Sequence, residues 1–367
     1  MLAYVLGLAV ACHALPSYGG LRDPANCNPL AKDSHCPPDV AFAGKRSFDF
    51  DGASYNQDFE KFWIVDDQTK QDRDRLKFGD GNGLAVSMTE QKQAPTLTSH
   101  DYLFFGKVTV RAKAARGPGL VTTIVLKSDS GDEIDWELLG AFQNQAQSNY
   151  YYNGQPVFNT YNTTYALSSS AYDDFHDYTV EWTDKSLQFS IDGALRQTWQ
   201  PGGIPADKWP QTPMRVQLGI WAVAENADPG EISWAGGVPD WSRKPFTAAF
   251  HSLEVDDYQG WCEEKTEDGD GRVEYQYDGG MKGWADVRVA GCRKRRDGAA
   301  TAPSPSGTSS SASTSASATE TAHAEPTDKD GDKKGDGSDD SEGSGAVMAP
   351  SASLAFMVSL GGLLFFW

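Results

Sequence analysis

The sequence is short of positive charge, of cysteine and of helical periodicity, and each shortage narrows what the chain can be. Lys and Arg total 32 against 51 Asp and Glu, a formal net charge of −19. That balance speaks against nucleic-acid binding, whose footprint is a basic patch. Only five cysteines occur, and none of them forms the close Cys-x-x-Cys spacing of a zinc site. No apolar run reaches the roughly 20 residues that a membrane-spanning helix needs. Between residues 45 and 260 no long stretch repeats with the helical period, so strands must supply the core.

The two apolar runs that do occur lie at the ends. Leu2 to Ala11 is followed by Cys12-His13-Ala14, which reads as a signal peptide over residues 1–14. At the other end, Leu354 to Trp367 is an uncharged tail, preceded by a polar stretch and the small residues Gly343-Ser344-Gly345-Ala346. That order predicts a removable glycolipid-anchor signal over 346–367, with Gly343 or Ser344 as the attachment residue. Residues 298–345 are almost entirely Ala, Ser, Thr, Pro, Gly, Asp, Glu and Lys. They predict a disordered, Ser/Thr-rich stalk, because so little apolar surface cannot offset the chain entropy of ordering. The run Asp328 to Asp332 lacks the Gly and the Glu of a calcium loop and reads as spacer. A secreted, surface-tethered protein is expected, touching the membrane through its lipid anchor alone.

Loss of Cys12 with the signal leaves Cys27, Cys36, Cys262 and Cys292, an even number that suits an oxidising compartment. Three pairings are open. Cys27 with Cys36 in the flank 15–44, and Cys262 with Cys292 in the extension 261–297, are favoured, since each pair sits on one side of the presumed domain. The Gly- and Asp-rich extension predicts a disulfide-tied loop or hairpin. Asn162-Thr163-Thr164 is an N-glycosylation acceptor and predicts a surface loop.

The chemistry concentrates in Gly131-Asp132-Glu133-Ile134-Asp135-Trp136-Glu137-Leu138. On a strand, alternate side chains share a face, so Glu133, Asp135 and Glu137 line one face and Ile134, Trp136 and Leu138 the other. Three neighbouring carboxyls repel, which raises at least one pKa and suits a site where one group stays protonated while another is ionised. Glycosidic bond chemistry needs such a pair. Same-face positions four residues apart lie about 13 Å apart at Cα, and two Glu side chains leaning inward approach the roughly 5–5.5 Å of a retaining pair. A solvated acidic edge strand or a calcium site is the bland alternative.

These residues resemble the Glu-x-Asp-x-Glu signature of glycoside hydrolase family 16, and the surrounding sequence resembles its fungal cell-wall branch, the Crh transglycosylases. Phe105-Gly106-Lys107-Val108, Arg111 to Ala115, Ser148-Asn149-Tyr150-Tyr151, His176 to Thr183, Ile191-Asp192-Gly193, Trp221 and Ile232 to Gly237 carry the likeness across roughly residues 45–260. The signature lacks the extra residue before its last Glu that many laminarinases and agarases have. The resemblance implies an all-β antiparallel β-sandwich of jelly-roll, concanavalin-like type, in keeping with the alternation at Met214 to Trp221 and the hairpin turn at Asp192-Gly193. It implies a retaining mechanism in which Glu133 is the nucleophile, Glu137 the proton donor and Asp135 the charge between them, keeping Glu137 protonated and orienting Glu133. Chitin is then the donor and β-glucan the acceptor, with no cofactor or metal. An endo-β-glucanase and a non-catalytic carbohydrate-binding wall protein are the alternatives.

Candidate sugar contacts follow from both sources. Trp221 lies on the polar side of its strand with Arg215 and Gln217, as a stacking platform, although a core role stays open. Gln147, Asn149, Tyr150 and Trp234 sit in segments that line the cleft in the family. His176 reads equally as a structural or a cleft residue.

Overall fold

The computed structural model of the protein describes residues 27–295 apart from 154, 158–159, 161–162, 206–207 and 267–270. The predicted signal segment 1–14, Asn162, the stalk 298–345, the attachment residues Gly343 and Ser344 and the tail 346–367 lie outside the described residues.

Two antiparallel eight-stranded sheets make the body. One, the site sheet, runs in the order 155–156, 145–152, 133–139, 120–128, 214–222, 96–99 and 63–65, with 163–166 added to strand Gln145–Tyr152. The other runs 194–199, 187–191, 176–182, 106–113, 246–257, 84–88 and 76–78, with 45–49 added to strand Phe246–Asp257. The chain crosses repeatedly between the sheets, which closes a jelly-roll sandwich. The hairpin at Asp192-Gly193 is present: both residues have positive φ, 51° and 74°, the combination a two-residue turn requires between right-twisted strands.

Strand parity builds the core. Ile134, Trp136 and Leu138 are fully buried, and the Trp136 ring meets Phe189 edge-on at 5.2 Å and Tyr178 at 5.7 Å, both from the facing sheet. Its indole N–H donates to the Thr179 carbonyl at 3.3 Å. Truncating such a residue costs about 3–5 kcal/mol, so the strand that carries the carboxylates is anchored by its opposite face. Met214, Val216, Leu218 and Ile220 do the same for strand Met214–Ala222.

Both disulfides join the expected partners, Cys27 to Cys36 and Cys262 to Cys292. The second closes a hairpin of strands Cys262–Lys265 and Cys292–Arg295. Between them, strand Glu274–Gln276 pairs with Asp39–Val40 and with Arg288–Ala290. Buried Tyr275 ties this extension to the sandwich: its hydroxyl donates to Asp257 Oδ1 at 2.5 Å and accepts from the Phe104 N–H at 3.1 Å.

Candidate active site

The cleft face of the site sheet is read row by row from the strand register. Glu133 lies opposite Tyr151 on one side and Lys127 on the other, and Lys127 lies opposite Arg215. Asp135 is flanked by Asn149 and Val125, Glu137 by Gln147 and Thr123. Since directly opposed residues share a face, the odd-numbered residues 133–137 and 147–151 form one surface. Ile134 and Tyr150 fall on the core side.

Each carboxylate has its own surroundings. Lys127 Nζ forms an ion pair with Glu133 Oε2. Asp135 is 1% exposed. Its Oδ1 accepts from Asn149 Nδ2 at 2.8 Å, and its buried Oδ2 has no hydrogen-bond partner among the described residues. Glu137 Oε2 accepts from the same amide nitrogen. Burial holds Asp135 well above the usual carboxylate range, with the charges of Glu137 and Glu133 adding to it. Burial likewise pushes Glu137 up to about 8, helped by Glu133 and by Glu231, while the Asn149 amide works in the opposite direction. The result is an ion-paired carboxylate four positions from a protonated one, the division of labour that a nucleophile and a general acid require.

Several assignments change. The expectation that the charge of Asp135 keeps Glu137 protonated gains a larger cause: burial comes first, Glu133 adds its charge, and Asp135 and Glu137 repel and hold each other up. Tyr150 is not a cleft residue, because it is fully buried against the core and its hydroxyl donates to the Lys208 carbonyl at 2.6 Å. Arg215 is mostly buried, paired with Asp129 at 3.7 Å and packed over the Tyr102 ring at 4.9 Å. It braces the hairpin before strand Glu133–Leu139. His176 lies on the other sheet, between Asp192 Oδ2 at 2.8 Å and Ser169 Oγ at 3.3 Å, and is structural.

Other candidates do converge. Trp234 Nε1 donates to Gln147 Oε1 at 2.8 Å, and its ring stacks on half-buried Trp221, centroids 6.0 Å apart and planes 24° apart. Trp234 ends the short helix Pro229–Trp234, capped by Asp228, so the pair of indoles lies at the Glu137 end of the cleft. Asn149 is fully buried and holds the carboxyls instead of facing a sugar. Lys127, Tyr151 and Glu231 escaped the sequence reading. Lys127 left a signal: it precedes Ser128-Asp129-Ser130-Gly131-Asp132, a turn that folds it onto Glu133.

The profile of Glycosyl hydrolases family 16 matches residues 63–236. Crh-like protein 5 of Aspergillus fumigatus is 37% identical over 238 residues, covering 63% of this chain and 56% of the relative. Crh-like protein 2 of Botryotinia fuckeliana is 38% identical over 238 residues, covering 63% and 49%. The chain thus spans about half the length of the curated relatives it matches. Among solved structures, an apo Crh5 transglycosylase superposes with a TM-score of 0.59 at 33% identity, covering 71% of this chain and 99% of that one. A Crh5 transglycosylase in complex with NAG matches equally, at 34% identity.

Proposed function

Because the chain belongs to glycosyl hydrolase family 16, among its Crh-like members, we propose that it is a retaining transglycosylase of the fungal cell wall that transfers chitin chains onto β-glucan. Glu133 attacks the anomeric carbon while Glu137 protonates the departing oxygen, leaving a glycosyl ester on Glu133. Glu137, now ionised, takes the proton of an acceptor hydroxyl, whose oxygen displaces Glu133. Asn149 keeps Glu137 aimed through both steps, and the Trp221–Trp234 stack offers the apolar surface on which a sugar ring lies. The observation that carries this reading is the contrast between a Glu133 ion-paired with Lys127 and a half-buried Glu137 bridged to buried Asp135 by one amide. The structure of a Crh5 transglycosylase holding NAG supports an N-acetylglucosamine-based donor. The apolar ends of the sequence support secretion and tethering by a lipid anchor, which places the enzyme where both polymers are laid down.

The test is product analysis with labelled chito-oligosaccharides, with and without β-glucan oligosaccharides. Labelled hybrid chains that appear only with the acceptor are expected; release of free reducing ends at an unchanged rate, with no hybrid, would identify a hydrolase.

A further inference from the structure

We infer that Lys127 is a positioning residue that governs how long the glycosyl-enzyme lasts, by destabilising the ester on Glu133 relative to the free carboxylate. The inference rests on the double-displacement reading above. Lys127 and Glu133 face each other at the mouth of a hairpin that is pinned throughout. Ser128 N–H donates to the Asp132 carbonyl at 3.0 Å, and Ser128 Oγ accepts from the Asp132 N–H at 2.9 Å. The Asp132 carboxylate then accepts from the N–H groups of Asn153 and Gln211 at 3.1 and 3.4 Å. Ser130 Oγ and Thr212 Oγ1 are 2.8 Å apart. The backbone positions of Lys127 and Glu133 are therefore held opposite each other, within reach of the ion pair.

Its choice of partner is also set. Arg215, directly across from Lys127, pairs with Asp129 at 3.7 Å, and Asp135 Oδ1 accepts from Asn149. Glu133 is the anion with which Lys127 forms its ion pair, and the side chains of the two are about one-third exposed, 35% and 27%, on the cleft surface.

The chemistry follows from charge. In the first step an electron pair of Glu133 forms the C1–O bond, the glycosidic C1–O bond breaks, and the Glu137 proton goes to the leaving oxygen. Glu133 is now a neutral ester and Lys127 has lost its anion. In the second step the acceptor oxygen bonds to C1, its proton goes to Glu137, and the C1–O(Glu133) pair returns to the carboxylate beside the waiting ammonium. An interaction present at both ends and absent in the middle opposes loading and assists unloading.

The experiment is time-resolved intact mass with chitotriosyl fluoride, whose leaving group needs no protonation, on wild type, Lys127→Met and Lys127→Arg. In Lys127→Met, unloading of the adduct to a β-glucan acceptor should slow about tenfold or more while loading slows less or quickens. The adduct-bearing fraction should rise, and Lys127→Arg should return both rates towards wild type. Equal slowing of both steps, as from a disturbed hairpin, or unchanged unloading overturns the inference. Glu137→Gln serves as the control on the underlying reading: if it carries no adduct, the covalent mechanism itself has failed, and this inference with it.

Discussion

Trp221 and Trp234 lie nearly parallel with their ring centroids 6.0 Å apart, joined from strand Met214–Ala222 and helix Pro229–Trp234 into one aromatic surface. Because Trp234 also donates to Gln147, which lies across from Glu137, that surface is indexed to the acid. Trp221→Ala should raise KM for oligosaccharide roughly 3–10-fold with a smaller loss in kcat, the scale of an aromatic contact. Trp234→Phe keeps the stack but drops the hydrogen bond, and should cost about fivefold, mainly in kcat. Equal losses in kcat alone for both variants would place the stack outside the sugar path.

Asn149 gives the sharpest pH prediction. Its amide favours the ionised form of both Asp135 and Glu137, so Asn149→Ala should raise the pKa of Glu137 further above about 8. Donation to the leaving oxygen requires the protonated form, so the alkaline limb of kcat/KM should move to higher pH while the rate falls roughly 10–100-fold. Asp135→Asn removes a repelling charge beside Glu137 and should move that limb the other way, to lower pH, and only in part, because burial remains the largest cause of the shift. The pH–rate profiles of the two variants decide it.

The fold's legibility followed the parity of strands. The row Glu133, Asp135, Glu137 and its buried complement were readable because period two places them without knowledge of any neighbour. The Asp192-Gly193 hairpin was readable from its turn chemistry. Tyr150 was misplaced because the parity of strand Gln145–Tyr152 is fixed only by its register with Glu133–Leu139, where Tyr150 faces Ile134 and its neighbours Asn149 and Tyr151 face Asp135 and Glu133. Arg215 alternated correctly with the core, yet its partners Asp129 and Tyr102 come from distant segments. The source of the Glu137 shift was out of reach for a related reason: burial depends on the assembled sheet.

Stability should fall as the solution becomes alkaline. Burial raises Asp39 and Asp257 to about 7 from 3.8, and Glu137 to about 8 from 4.5. The folded state thus holds these protons more tightly than the unfolded chain. Their contribution is complete below about pH 4 and is lost as pH climbs through 7 to 8. Thermal unfolding should show Tm lower at pH 8.5 than at pH 5 by roughly 5 °C or more; an unchanged or higher Tm would show that these carboxyls titrate normally.

The disulfide of the extension should matter more than that of the flank. Cys262–Cys292 spans 30 residues and Cys27–Cys36 spans 9, and the longer loop constrains the unfolded chain more, about 3–4 kcal/mol against about 2–3 on the chain-entropy estimate. Replacing Cys262 and Cys292 by Ser should lower Tm by roughly 8–14 °C. Because Tyr275 within that loop reaches Asp257 and the Phe104 N–H, protease cleavage after residue 260 should also speed. A Tm within 2 °C of wild type, on the order of 1 kcal/mol or less, would mean the extension is held by packing alone.

The central claim is that Glu133 is the nucleophile and Glu137 the proton donor, and intact mass after incubation with an activated chito-oligosaccharide tests it most directly. Glu137→Gln should load and hold the sugar, since only proton transfer is lost, while Glu133→Gln should carry no adduct and show neither transfer nor hydrolysis. An adduct on Glu133→Gln, or none on Glu137→Gln, would contradict the assignment.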